Sequence, residues 1–406
     1  YATSRVIKDT EAGHPVSWKW NAGFDTKMIL STSMNLDLTV NPDYSQVEED
    51  RQQTNLDRFE LFYPERRQFY LENSDLFANL GNSQAQPFFS RRIGLNVPVN
   101  FGGRLTGRIG NKWRIGMMDI QTGSKGDYLS SNYAVAVLQR EIFSRSSIVG
   151  FLVNKEITQS YSDAEFTGYR YNRVAGLEYN FATADNRWQG KAFWHQSFYP
   201  GADRNAAAFS GNIGYSSQYL KAAISQSWIG SDYIAEAGYI RRTGIYKITP
   251  SVSYLFYPSK SERIISHGPG ASFDVILDPR FNLTDRETEL SYTIGWRDKS
   301  QLSVSLQEEF VQLDRDYDPT NTGGEKLAAG DRFQWKSATA EFTSDARRLF
   351  NYALNAGIGG YYNGNRWFVS GLMNYRVQPY GSIGMSVNYN DISLPGPYNS
   401  ARLVLL

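Results

Sequence analysis

Most of this 406-residue chain alternates between two kinds of residue with a period of two. Leu302, Val304 and Leu306 interleave with Ser303, Ser305 and Gln307, and Ile383, Met385, Val387 and Tyr389 with Gly384, Ser386, Asn388 and Asn390. The same holds for Leu290, Tyr292, Ile294 and Trp296 against Ser291, Thr293, Gly295 and Arg297, and for Leu105, Gly107 and Ile109 against Arg104, Thr106 and Arg108. Successive side chains of a strand point to opposite faces, so each segment is a strand with one apolar face and one small or polar face. Strands of a soluble sandwich are usually about 5 to 6 residues long, and these run longer. A bilayer-crossing strand needs about 9 to 11 residues, an apolar outward face, aromatics near its ends and a polar inward face. The segments supply all four.

Composition removes the main competitors. Aromatics are 15% of the chain, with 27 Tyr and 9 Trp, yet mean hydropathy is −0.47. No apolar run approaches the roughly 18 residues of a transmembrane helix, which excludes a helical membrane protein. A soluble chain of this length would divide into two or three domains, but no linker or composition break follows about residue 98. The net charge of +1 and the lack of a basic run argue against nucleic acid as a partner. The absence of cysteine fits export to an outer membrane.

The pattern predicts twenty strands. The first ten fall near 1–8, 18–30, 33–42, 99–110, 113–122, 131–143, 147–157, 169–181, 187–199 and 205–216. The rest fall near 219–229, 245–257, 263–278, 286–297, 300–313, 332–344, 349–362, 366–378, 382–391 and 400–406. Short connections, such as 110–113 and 143–147, alternate with longer ones at 42–99, 123–131, 157–169, 229–245 and 313–332. Outer-membrane barrels have short periplasmic turns and long outer loops, so the alternation orients the chain. The expected fold is all-β: a transmembrane antiparallel outer-membrane β-barrel of about 20 or more strands, residues 1–406 forming one barrel that carries an insert at 43–98. A barrel also removes the exposed edges of so long a sheet.

The insert breaks the pattern. Thirteen charged residues lie between Asp43 and Asp75, interleaved with Phe59, Phe62, Tyr63, Phe69 and Tyr70. A wide barrel encloses a water-filled lumen or one that holds a plug. The residues suited to plug or constrict it through Arg–carboxylate pairs are Asp43, Glu48, Glu49, Asp50, Arg58, Glu60, Glu65, Arg66, Arg67, Glu72 and Asp75, with Arg91 and Arg92 beyond. Arg66 and Arg67 are the choice for contacts to lumen carboxylates such as Glu178. A surface lid is the second reading, and catalysis by paired carboxylates flanked by aromatics the third.

The run NPDYSQVEEDRQQTNLDRFELFYPERRQFYLENSDLF at 41–77, FFSRRIG at 88–94, GGRLTGRIGNKW at 102–113 and ISLPGPYNSARL at 392–403 carry a resemblance. They resemble outer-membrane barrel proteins of the Bacteroidetes type, which carry a family 9 carbohydrate-binding-like domain ahead of a barrel catalogued as a domain of unknown function. The resemblance implies a barrel, an outer-membrane location and a link to glycans, with no established activity. The carbohydrate-binding-like domain is absent from this sequence. Family barrels continue beyond the segment matching Ser400 to Leu406 and no signal peptide stands at Tyr1, so the chain is expected to be a trimmed portion.

Asp314, Asp316, Asp318, Thr320, Thr322 and Glu325 reproduce the 1, 3, 5, 7, 9, 12 spacing of a calcium loop, with Pro319 at the sixth place where glycine is usual. The competing reading is a solvated acidic loop. His14, His195 and His267 are far apart in sequence, and His195, on one face with Gln189, Lys191 and Ser197, reads as a polar lumen residue rather than as part of a hydrolase. The glycines at 102, 103, 107 and 110 sit on a strand pattern and read as room for neighbours rather than as a phosphate loop. Outer-membrane lipid is the expected surrounding, with glycans or other outer-membrane proteins as partners. The functions that follow are envelope transport or glycan-associated uptake through an occluded barrel, or a non-conducting scaffold in a larger assembly. Catalysis is not expected, a carboxylate-dependent hydrolase being the weakest alternative.

Overall fold

The computed structural model of the chain describes residues 2–7, 17–42, 50, 52–160, 168–202 and 205–405. It opens with a separate hairpin of β1 (Ala2–Ile7) and β2 (Ser17–Ala22). The main sheet starts with β3 (Phe24–Ser31) and β4 (Met34–Val40). Two helical turns, α1 (Gln68–Leu71) and α2 (Asp75–Ala78), and the short β5 (Ala85–Gln86) belong to the insert. The sheet resumes with β6 (Val99–Ile109), β7 (Trp113–Thr122), β8 (Ser131–Ile142), β9 (Ser146–Ile157), β10 (Tyr171–Ala182), β11 (Trp188–Phe198), β12 (Ala207–Ser216) and β13 (Leu220–Ile229). After the short β14 (Tyr239–Ile240) come β15 (Ile245–Tyr254), β16 (Ile264–Leu277), β17 (Leu283–Trp296), β18 (Gln301–Gln312) and β19 (Arg332–Thr343). The last four are β20 (Phe350–Tyr361), β21 (Gly364–Val377), β22 (Gly381–Ser393) and β23 (Ala401–Leu405).

Nineteen of these strands form one sheet in which neighbours in sequence are antiparallel neighbours in space. Most run 10 to 14 residues, as the alternation predicts. Two expected strands are corrected. The strand placed at 1–8 stands outside the large sheet and pairs with β2, and the one placed at 18–30 divides at Gly23 into β2 and β3. Connections at 110–112 and 143–145 are short and those at 41–98 and 313–331 long, but 278–282 and 362–363 are short connections at the long-loop end. Loop length therefore alternates only in part.

The period-two faces separate in part of the sheet. Ser305 is 8% exposed and its neighbour Leu306 60%; Arg104 and Thr106 are each 1% exposed while Ile109 is 51%. The start of β22 does not separate in this way: Ile383 and Met385 are exposed, and so are Gly384 and Ser386, which the alternation places on the inward face. The strands β8 and β9 depart from the simple pattern: Val135, Val137, Val149, Phe151 and Val153 are buried, and Leu138, Ile148 and Leu152 on the other face are exposed. They are apolar on both sides because their buried side meets an apolar part of the insert.

Candidate functional site

The insert lies against the buried face of the sheet. Tyr70 of α1, Leu76 and Phe77 of α2, and Leu80, Phe88 and Ile93 pack in one core with Met118, Ile120, Val135, Val137, Phe151 and Val174 of the wall. Each large apolar side chain so buried contributes about 1.5 to 3 kcal/mol, so the segment docks through a hydrophobic core as well as through charge. Close approach is built in at Gly116 of β7, where a Cβ would lie 2.8 Å from Phe77 Cζ. The segment 230–244 joins the same core through Tyr233, Ala235 and Ala237, and its β14 pairs with β5 of the insert. That pairing was not readable, since two-residue strands leave no period to detect.

Polar bonds fix the insert at widely separated strands. Asn73 donates to Thr106 of β6 at 3.0 Å, and Asn82 Nδ2 donates to Ser210 of β12 at 3.1 Å and Ser227 of β13 at 3.0 Å. Tyr361 of β20 donates its hydroxyl to the Leu56 carbonyl at 3.2 Å. Arg104, from β6, joins Asp37 of β4 at 2.8 Å and the Glu72 carbonyl at 2.6 Å.

The charged residues singled out in the sequence divide between wall contacts and internal ties. Asp75 receives both terminal nitrogens of Arg114 at 2.7 and 3.0 Å, and Glu72 pairs with Lys27. Arg58 pairs with Asp285 of β17, whose other oxygen holds Arg242 at 2.5 Å. Arg92 grips Glu60 with two bonds, while Arg91 and Arg66 both meet Asp50. Glu65 accepts from Arg67 Nη2 at 2.7 Å and Ser90 Oγ at 2.6 Å, and Arg67 also donates to the carbonyls of Ser90 and Ile93. Burial would push the Glu65 carboxyl up, but the pairing with Arg67 and the bonds from Ser90 and the backbone outweigh it and hold it below the usual carboxylate range. Asp43, Glu48 and Glu49 lie outside the described residues.

Glu178 is a buried acceptor for the insert, with different partners from those expected. Arg66 and Arg67 are tied within the insert, and Glu178 Oε1 instead accepts the Gly81 amide at 2.6 Å and stands 3.0 Å from His195 Nε2. Lys191 Nζ lies 2.7 Å from Glu178 Oε2 and donates to the carbonyls of Asn79 and Gly81 at 2.5 and 2.7 Å. His195 is fully buried, stacked on Phe193 with ring centroids 4.2 Å apart. Gly81 has φ +74, and a Cβ there would meet the Ala85 carbonyl oxygen at 2.0 Å, so a glycine at the tip of the insert lets the backbone reach Glu178.

The acidic loop is organised by its own backbone. Asp318 accepts Thr320 N, Thr320 Oγ1, Thr322 N and Gly323 N, at 2.9, 2.6, 2.9 and 2.9 Å. Partial burial would raise this carboxyl, and these bonds outweigh it and lower it. Asp316 accepts Ala329 N at 2.9 Å, Asp314 lies 3.8 Å from Arg242, Thr320 bonds Thr322, and Glu325 is exposed. Among the described residues no group of three or more His, Cys, Asp or Glu side chains comes together to hold a metal ion. Of the six residues spaced like a calcium loop, Asp318 closes the turn through the loop's own backbone.

Beside the insert, on the β15–β21 stretch of the sheet, a cavity of about 880 Å³ remains. The insert contributes Arg58 and Phe59, and the sheet contributes Glu287, Glu309, Trp335 and Tyr361. A family model described as a domain of unknown function, DUF5916, matches residues 1–106, a stretch that takes in β3, β4, the insert and most of β6. No curated protein matches the chain.

Proposed function

We propose that the nineteen-stranded sheet is a closed barrel in a bacterial outer membrane, that residues 43–98 plug it, and that it serves solute passage across the envelope with the plug in place as the resting state. The observation that carries this reading is the reach of the insert. Leu56 bonds β20 and Asn73 bonds β6, strands thirteen places apart in the sheet order. On a flat sheet with strands about 4.8 Å apart they would stand roughly 60 Å from each other. The seventeen residue-to-residue steps from Leu56 to Asn73 would reach that far only if fully extended, at about 3.3 to 3.6 Å each, and α1 interrupts them. A sheet curled around the insert removes the conflict.

The sheet order, which sets β23 beside β3, supports closure. An odd number of strands in antiparallel succession points β3 and β23 the same way, so closure requires one parallel seam there, a departure from the even count usual in bacterial barrels. The exposed face supports a lipid environment: Leu177, Ile213, Ile224, Leu290, Val304, Leu306 and Leu372 are each more than 40% exposed, far more apolar surface than a soluble monomer carries. Aromatic side chains gather near the short-turn end, with Trp188 against Tyr215, Tyr219 against Tyr254 and Trp296 against Phe342, as at a membrane interface. Asp50, Glu60, Glu65 and Asp75 each face an arginine, which favours an anchoring role over general acid–base work.

Single-channel recording in planar bilayers tests this. The intact protein should pass little current, and a variant lacking residues 45–86 should give large, salt-dependent steps. Equal conductance in two correctly folded forms would place the insert outside the path. Silence in both would favour the second reading, a non-conducting scaffold, for which the many bonds between insert and wall also speak.

A further inference from the structure

The two ends of the sheet differ in charge. The nine connections at the short-turn end carry nine Lys and Arg against four Asp and Glu, whereas the connection 313–331 at the opposite end carries two against five. Three of the four acids are already matched: Asp185 lies 3.5 Å from Arg187, Asp345 2.8 Å from Arg347 and Asp298 3.3 Å from Arg348. Among the described residues no ion pair reaches Lys112, Arg145, Lys260, Arg263, Arg297 or Lys299, all of them exposed. They stand on four turns, from the one between β6 and β7 to the one between β17 and β18, so the charge follows the rim rather than gathering in one patch. Phe143, Leu349 and Tyr380 are exposed on turns at the same end. Apolar tips beside bases suit the boundary between headgroups and acyl chains, where aromatic and cationic side chains both find their surroundings.

One cavity of about 430 Å³ opens at this rim, between the turns 255–263 and 297–300, and Arg263, Arg297, Trp296 and Phe342 line it. Trp296 shares a face with the exposed Leu290 and Tyr292, and Phe342 pairs in register with Leu302, on the face that carries Val304 and Leu306. The aromatic wall therefore belongs to the outer side of the sheet. Arg297 donates to the Ser261 carbonyl at 3.0 Å and so ties the two turns together. Glu262 is the one acid at this mouth without an ion pair among the described residues, and Lys260, Arg263, Arg297 and Lys299 outnumber it. We propose that the short-turn rim docks on anionic phospholipid, and that this cavity seats one such lipid, its phosphate met by Arg263 and Arg297 and its first acyl carbons lying along Trp296 and Phe342. Guanidinium groups match phosphate oxygens in geometry as well as charge. A ring of bases fits a leaflet that surrounds the barrel, where a soluble acidic partner would need them on one side. The proposal rests on the barrel standing in a membrane, as proposed above, and is indifferent to whether the lumen conducts.

Tryptophan quenching by brominated lipid tests it, with the full chain reconstituted in phosphatidylcholine vesicles that carry the same fraction of brominated phosphatidylglycerol or brominated phosphatidylcholine. Trp113, Trp188 and Trp296 stand at the rim in question. Phosphatidylglycerol should be favoured by about fivefold or more, since each base near an anionic surface is worth about that factor, and about 0.5 M salt should shrink the preference. R263Q/R297Q should bring the ratio close to one, while K125Q/K326Q, which removes two exposed bases from the opposite end, should leave it unchanged. Glycerophosphoglycerol, the headgroup without its chains, should not displace the lipid. Equal affinity for the two lipids, an equal loss in both double variants, or displacement by the free headgroup would overturn the lipid site while leaving the barrel in place. Absence of quenching by either lipid would overturn the membrane reading itself, and this proposal with it.

Discussion

Glu178→Ala should release the tip of the insert while leaving the sheet standing. The side chain is buried and serves three partners: the Gly81 amide at 2.6 Å, His195 at 3.0 Å and Lys191 at 2.7 Å. Removing it leaves the lysine without its counter-charge and the amide without an acceptor. Breaking a buried pair from one side costs about 3 to 5 kcal/mol, and the orphaned amide, at about 1 to 3 kcal/mol when counted alone, overlaps that figure rather than adding to it. Each 1.4 kcal/mol is a factor of ten, so amide exchange at Gly81 and Asn82 should quicken by between about a hundredfold and a few thousandfold. Glu178→Gln keeps an acceptor for the amide and should cost about 1 to 2 kcal/mol. Hydrogen exchange read by mass spectrometry on peptides spanning 76–88, beside peptides from β17 and β18, separates local release from global loss. Unchanged protection at 76–88 in the alanine variant would refute the view that this carboxylate anchors the insert.

Three further outcomes follow from the same geometry. Glu65 has a lowered folded pKa, so its stabilising effect is complete above the ordinary glutamate value of about 4.3 and is lost as pH falls through the lower folded value. Proteolysis of the insert against pH should show that acid step, and Glu65→Gln should abolish it. Leu306→Lys should cost about 2 to 4 kcal/mol in vesicles if it sits near the membrane midplane, whereas a neutral effect would remove Leu306 from the lipid-facing set. A cysteine at Asn321 should react with an impermeant reagent on intact cells, and labelling only after the outer membrane is broken would invert the assigned orientation.

The wall was legible because a long strand with one covered face repeats its two faces residue after residue, and Leu302 to Leu306 carry that repeat openly. Glu178, His195 and Lys191 were readable as inward residues for the same reason. Their partners were not: Gly81 bears no side chain that announces a contact, and nearest-neighbour reasoning favoured the conspicuous Arg66 and Arg67, which the fold spends on Asp50 and Glu65 within the insert. Reading the insert as a set of charges also hid its core of Tyr70, Leu76, Phe77 and Phe88. The signal was present in β8 and β9, whose apolar residues on both faces require an apolar partner on the inner side. The spacing of Asp314 to Glu325 says nothing about side-chain direction, which the fold shows at Asp318, whose oxygens turn to its own loop.

A density map of the protein in lipid nanodiscs by electron cryomicroscopy tests the central claim most directly. The account predicts a continuous ring of nineteen strands, joined in parallel at β3 and β23, with the insert inside and Asn82 seated between Ser210 and Ser227. An open sheet, or a ring with the insert resting on its outer surface or rim, would contradict it.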